Sequence, residues 1–445
     1  MRQAVKSKAL RVLTLLVVAV CGWCPAGGWA AVRGEIVGPG ATRMPLAVPE
    51  LKWIGGNPAP ELAGRFVAVL RADLELSGLF RVIDPAAYIA DPQQEGLTLE
   101  TIDFDTWAAV GALGLVRGGY SAGPEGITIE ARYFDVANRS SSGGRRLSAP
   151  PEAVARLAHR MADAILEFVT GVPGPFDSKL AFVSNRNGHF REVYTMTFDG
   201  HIEQVTNHRS ITMAPSWAPD LHSLLFTSFR SGRPVLYELI FGQGDRRVAS
   251  KLGVNVGGAY SPDGRLLALA RESAGNTDIY LLDLAHRSMR RLTTHWAIDV
   301  EPAWSPDGRR IAFCSSRSGT PQVYTMDIDG GHIERLTFDG DYNCSPAWSP
   351  DGRWIAYAGR RQGRFQLFVI PAAGGAPRQL THSGSNEDPA WSPDSRYLVF
   401  AGRRGRVRKL FLVDREGRWE RQLTSGSSDD SSPSWSRWLP SRPPR

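Results

Sequence analysis

From residue 215 onward one short phrase keeps returning. It reads Pro215-Ser-Trp217-Ala-Pro219-Asp220, Ala259-Tyr260-Ser-Pro262-Asp263-Gly264, Pro302-Ala-Trp304-Ser-Pro306-Asp307-Gly308, Pro346-Ala-Trp348-Ser-Pro350-Asp351-Gly352 and Pro389-Ala-Trp391-Ser-Pro393-Asp394, and ends in a worn copy, Pro433-Ser-Trp435-Ser436. The aromatic positions are 43 or 44 residues apart, the period of a four-stranded propeller blade. Ser-Pro-Asp-Gly has Pro second and Gly fourth, as a type I turn favours. Runs such as Ile311-Ala-Phe313-Cys314 and Val323-Tyr324 follow, β-branched and aromatic between Gly, Pro and Asp punctuation, and read as strands. Ahead of the first Trp phrase stand Leu180 to Val183, Val193-Tyr194 and Val205-Thr206, a blade lacking only its Trp strand. The last Trp strand lacks everything after it. The fragments complement each other, so the spacing predicts a six-bladed propeller whose sixth blade joins the two ends of the repeat region and leaves no free edge.

Residues 31 to about 170 lack this period. Pro58 to Leu76 reads as a helix with Leu62, Phe66, Val69 and Leu70 on one face, Asn57 as N-cap and Gly78 beyond its end. Pro151 to Thr170 reads as a second helix stopped by Gly171. Phe80 to Ile83, Leu113 to Tyr120 and Ile127 to Tyr133 read as strands. The expected architecture is multidomain, a small N-terminal two-layer α/β domain over 31–172 followed by an all-β propeller over 173–437 and a tail over 438–445.

Residues 1–30 open with Arg2, Lys6, Lys8 and Arg11, continue as an apolar run from Val12 to Val20 and reach small residues near Ala30, the order of a signal peptide. Without it the formal net charge falls from +7 to +3, which removes the best argument for nucleic-acid binding. No later run is long and apolar enough to span a bilayer. Export permits a disulfide between Cys314 and Cys344, but two buried thiols are the plainer reading. The run Arg403-Arg404-Gly405-Arg406-Val407-Arg408-Lys409 reads as a solvated hairpin or a contact for anionic lipid.

Of the usual enzyme signatures, no His-Glu-x-x-His and no phosphate loop occur, and the one Gly-x-Ser-x-Gly match, Gly119-Tyr120-Ser121-Ala122-Gly123, runs on from the strand read over Leu113 to Tyr120 and is not followed by a helical pattern. The nine histidines are scattered without ligand spacing and read as surface residues. The alternative is a propeller-based hydrolase or lyase with a channel active site.

Together the leader, the α/β domain with Lys52-Trp53 and Gly55-Gly56 before a helix, the six repeats and the terminal Pro433-Ser-Trp435 resemble the TolB family over nearly the whole mature chain. The resemblance implies a monomeric, non-catalytic periplasmic component of the Tol–Pal system. It implies partners in the Pal lipoprotein, in TolA and in other Tol proteins, and a role in outer-membrane integrity and constriction at division. The Pal contact is expected on the loops before the inner strands, at Asn255, Asp299, Val300, Glu301, Asn343, Ser345, Glu387 and Asp388. The TolA contact is expected on the N-terminal segment, at Val32, Arg33, Glu35 and Ile36. No cofactor is expected. Crowding of Asp299, Glu301, Glu387 and Asp388 at one mouth would, however, suit a hard cation such as Ca²⁺.

Overall fold

The computed structural model describes residues 43–248 and 255–440. The expected signal peptide, the Val32 to Ile36 segment, the side chain of Asn255 and residues 441–445 lie outside the described residues.

The N-terminal domain is a six-stranded sheet built from β1 (Met44–Ala47), β2 (Lys52–Gly56), β3 (Phe80–Val82), β4 (Gly114–Gly123), β5 (Gly126–Asp135) and β6 (Ser140–Ala149). Its order is β3-β1-β4-β5-β6, with β2 also on β4. Two helices, α1 (Pro60–Leu76) and α3 (Val154–Thr170), cover one face. Phe66, Leu70 and Leu74 of α1 meet Leu157, Met161 and Ile165 of α3 over Ile127, Ile129 and Tyr133 of the sheet. The short α2 (Phe104–Ala109) brings Phe104 and Trp107 against Leu115 and Phe134. α1 begins two residues later than expected: Pro60 opens the helix after Ala59, with no side-chain cap. Proline suits that position because the first turn needs no N–H from it.

The propeller has six four-stranded sheets. Blades 1 to 5 start from the inner strands Thr212–Trp217, Asn255–Tyr260, Asp299–Trp304, Asn343–Trp348 and Ser385–Trp391. In blade 6 the inner strand Asp430–Trp435 pairs antiparallel with Leu180–Ser184, as the repeat count predicts. The core lies between neighbouring blades; Ala268, Ile279 and Leu281 of blade 2, for example, pack on Trp304, Phe313 and Met326 of blade 3. Full burial of a side chain of this size contributes roughly 1.5–3 kcal/mol. The repeated tryptophans add hydrogen bonds from blade to blade. Trp304 Nε1 donates to Ala259 O at 2.8 Å and Trp391 Nε1 to Ala347 O at 2.9 Å.

Two sequence readings are corrected here. Cys314 and Cys344 are disulfide-bonded, not free thiols; their Cα atoms are 5.1 Å apart, on the second strand of blade 3 and the inner strand of blade 4. His159 is not a surface residue but is 3 % exposed. Its Nδ1 lies 2.6 Å from Asp73 Oδ2, and its Nε2 lies 4.0 Å from Asp199 Oδ1 on blade 6.

The α/β domain sits at the end of the ring where the inner strands finish. Tyr397 Oη donates to Ser77 O at 2.8 Å, Trp438 Nε1 to Gly174 O at 2.7 Å and Arg396 Nη2 to Val172 O at 2.6 Å. Gly78, at φ 72°, belongs to this contact, and a Cβ there would overlap the Trp419 indole. The mouth where the inner strands begin lies at the opposite end.

Candidate functional site at the channel mouth

Each inner strand is interrupted by a β-bulge near its start. Pairing slips between Met213 and Ser216, Val256 and Gly258, Val300 and Ala303, Cys344 and Ala347, Glu387 and Ala390, and Ser431 and Ser434. Within each bulge one residue is left-handed: Ala214, Gly257, Glu301, Ser345, Asp388 and Ser432, with φ between 49° and 64°. In five of the six the next residue is proline, which has no N–H for the ladder and suits a bulge. For the non-glycine residues this backbone costs on the order of 1 kcal/mol or more each.

The bulges give the six residues one outcome: all line a central cavity of about 670 Å³. At the bulge positions blades 1 and 2 offer it no side-chain polar group, whereas blades 3 to 6 offer Glu, Ser, Asp and Ser. Glu301 Oε2 accepts the Ser345 backbone N–H at 2.7 Å, and Asp388 Oδ2 accepts the Ser432 hydroxyl at 3.2 Å. Solvent enters the channel, yet protein surrounds both carboxylates. Burial pushes the Glu301 pKa up, and the Asp388 charge adds to the rise. Burial also raises Asp388, against the bond from Ser432.

The structure thus brings Glu301, Ser345 and Asp388 together and takes Asp299 and Asn343 away. These last two are fully buried, which corrects the expectation that they face a partner. Asp299 is held by Arg317 at 2.9 Å. Asn343 Nδ2 donates to Gln322 Oε1 at 2.8 Å, and Thr337 Oγ1 donates to the same oxygen at 2.8 Å. Blade 4 repeats this brace with Asn386, Gln366 and Thr381. Val300 packs against the core between blades 2 and 3. Glu387 is half-buried; burial and Asp388 raise its pKa while Arg408 and Arg403 oppose the rise.

The carboxylates of the Ca²⁺ expectation do not gather on one point. Among the described residues, Glu301 clusters with Cys314 and Cys344, and Asp299, Glu387 and Asp388 fall outside that group. The two sulfurs in it are bonded to each other. Asp429 is paired with Arg191 at 2.9 Å and Arg408 at 2.7 Å. Asp430 is paired with Lys409 at 3.1 Å. The basic run is therefore partly structural and not a wholly solvated hairpin: Lys409 is buried, and Arg404 holds Glu420 at 2.9 Å.

Sequence reasoning missed the rim. Trp296 is 77 % exposed and Phe338 70 %, and Phe190, Ile211 and Ile298 are exposed as well. All five sit in loops at the mouth end, either just before an inner strand or between the second and third strands of a blade. The available signal was an apolar residue in a stretch where turn chemistry calls for polar ones.

Fold and site together define a two-domain β-propeller protein, its ring capped at one end by an α/β domain and open at the other over an acid-lined channel with apolar loop tips. The family described as "TolB beta propeller domain" matches residues 166–439, and that described as "TolB amino-terminal domain" matches residues 32–142. The chain belongs to the TolB family. It is 40 % identical over 211 residues to the Tol-Pal system protein TolB of Syntrophotalea carbinolica, covering 47 % of this chain and 48 % of that one. It is 39 % identical over 265 residues to the Tol-Pal system protein TolB of Anaeromyxobacter dehalogenans, covering 59 % of this chain and 61 % of that one. The chain thus spans about half to three fifths of the length of these curated relatives. The crystal structure of TolB from Acinetobacter baumannii superposes with a TM-score of 0.79 at 26 % identity, covering 89 % of this chain and 97 % of that one.

Proposed function

We propose that this chain is a periplasmic, non-catalytic docking component of the Tol–Pal system. Its propeller mouth binds the Pal lipoprotein, and its N-terminal segment around Val32 to Ile36 binds TolA, in support of outer-membrane integrity and constriction at division. The relatives named as Tol-Pal system proteins support the system. The observation that carries the docking reading is the mouth itself, left uncovered by the α/β domain and tipped with Trp296 and Phe338. Exposed aromatics around a concavity are the usual anchors of a protein interface. The carboxylates inside the channel accept hydrogen bonds from the neighbouring blade and stand as a polar floor beneath those anchors.

Titration calorimetry with the soluble domain of Pal tests this. Trp296→Ala with Phe338→Ala is expected to weaken binding at least about 10-fold without lowering the melting temperature. Deletion of residues 32–36 is expected to abolish capture of TolA and leave Pal binding intact. Unchanged Pal affinity in the double variant would place the contact on another face.

A further inference from the structure

The mouth is not uniform around its circumference. The loops of blades 2 and 3 and the connection into blade 4 carry the apolar tips Trp296, Ile298 and Phe338. The loops of blades 4, 5 and 6 and of blade 1 carry arginines, beside the less exposed apolar tips Phe190 and Ile211. Several of those arginines are used within the fold, as Arg404 is by Glu420 and Arg408 by Asp429. Arg209, Arg233, Arg364 and Arg406 are different. Each is exposed, and none has a carboxylate partner among the described residues. They come from blades 4 and 5, from the connection of blade 6 into blade 1 and from blade 1 itself, so they form one arc of unneutralised charge around the part of the rim away from Trp296 and Ile298.

We infer that the partner taken by this mouth is a protein with an acidic face, steered into place by the arginine arc and held by the apolar sector. This rests on the docking reading above and adds to it the chemistry of the partner and a division of labour between the two sectors. A flat anionic bilayer would suit the arc as well, but not the centre of the same face. There Glu301 and Asp388 would confront the lipid phosphates with like charge, and a cavity of about 670 Å³ would stay unfilled. A folded partner can present carboxylates to the rim and a hydrogen-bond donor to the channel at once. Exposed charges of one sign around a mouth act over the Debye length, so they raise the rate of encounter more than the lifetime of the complex. Buried aromatic anchors act mainly on dissociation.

The test is stopped-flow or biosensor kinetics of the full mature chain with soluble Pal at several ionic strengths, beside flotation with vesicles of phosphatidylglycerol and phosphatidylcholine. The quadruple charge reversal Arg209→Glu, Arg233→Glu, Arg364→Glu and Arg406→Glu is expected to lower the association rate about 10–100-fold at low salt. It should flatten the salt dependence and leave the dissociation rate within about 3-fold. Trp296→Ala should do the reverse. All five side chains are exposed, and circular-dichroism melts check that the variants fold. Pal binding that keeps its association rate and salt dependence in the quadruple variant would overturn the steering arc while leaving the docking reading in place. Failure of the unaltered chain to bind Pal would remove that reading and this inference with it. Vesicle binding by the unaltered chain that the quadruple variant loses would reassign the arc to lipid and overturn the acidic protein partner.

Discussion

Leu221 occupies a position that blades 2, 3 and 4 give to glycine and blade 5 gives to the small Ser395. In the turns after the inner strands Gly264, Gly308 and Gly352 have φ of 71–75°, and Leu221 takes φ 63° in the same slot. A left-handed leucine costs roughly 1–2 kcal/mol, and glycine returns part of that gain through its freer unfolded chain. Leu221→Gly is therefore expected to stabilise the protein by about 0.5–1 kcal/mol, read as a higher urea midpoint at constant slope; a lower midpoint would refute the strain. Single residues were also where the sequence was least readable. Asp299 and Glu301 are two apart on one strand, and simple alternation puts both on the same face. The bulge at Glu301 breaks that alternation, sending Asp299 to Arg317 and Glu301 into the channel. Only the proline that follows five of the six bulges hinted at this, and nothing in residue type distinguished the brace residue Asn343 from a free loop asparagine.

The elements divide by how much apolar pattern they carry. α1 and α3 were legible because each buries a stripe, and the strand at Ile127 because it alternates. β6, Ser140–Ala149, was not; it is an edge rich in Ser and Gly, and only Leu147 and Ala149 near its end pack on the core. α3 also illustrates what a stripe omits. It is buried against α1 and the sheet, and through His159 it meets Asp199 of blade 6, so a histidine that looked like surface became one of the polar contacts between domain and ring. Burial disfavours the His159 charge, but Asp199 and Asp73 outweigh it and raise its pKa from 6.5 to about 10. A folded-state pKa above the unfolded one means that the native state binds the extra proton. This contribution is complete below about pH 6.5 and is lost as pH rises toward 10. Urea midpoints between those limits should fall for the unaltered chain and fall less for His159→Gln. Equal slopes for the two would show that the imidazolium is not held by the carboxylates.

At the scale of the whole molecule, the ring depends on one long-range pairing, Leu180–Ser184 with Asp430–Trp435. The sequence announced it because two incomplete blades added to one, whereas the seat of the α/β domain at the far end of the channel came from contacts such as Tyr397 to Ser77 that no periodicity encodes. Removing residues 430–440 should expose the edges of blade 6 and of the blades beside it. Limited proteolysis is then expected to cut the propeller far faster than in the unaltered chain, and equal resistance would contradict the closure. The same pairing has a consequence for biosynthesis. A ribosome makes the three outer strands of blade 6, Leu180 to Gln204, more than 200 residues before Asp430–Trp435, the strand that completes them, so the propeller cannot be finished while its last repeat is still untranslated. Contacts of such high sequence separation form late and slowly, and until then a sticky edge stays open to proteases and chaperones. The closing strand thereby sets a length requirement: only a chain translated past Trp435 can pair the open edge of blade 6.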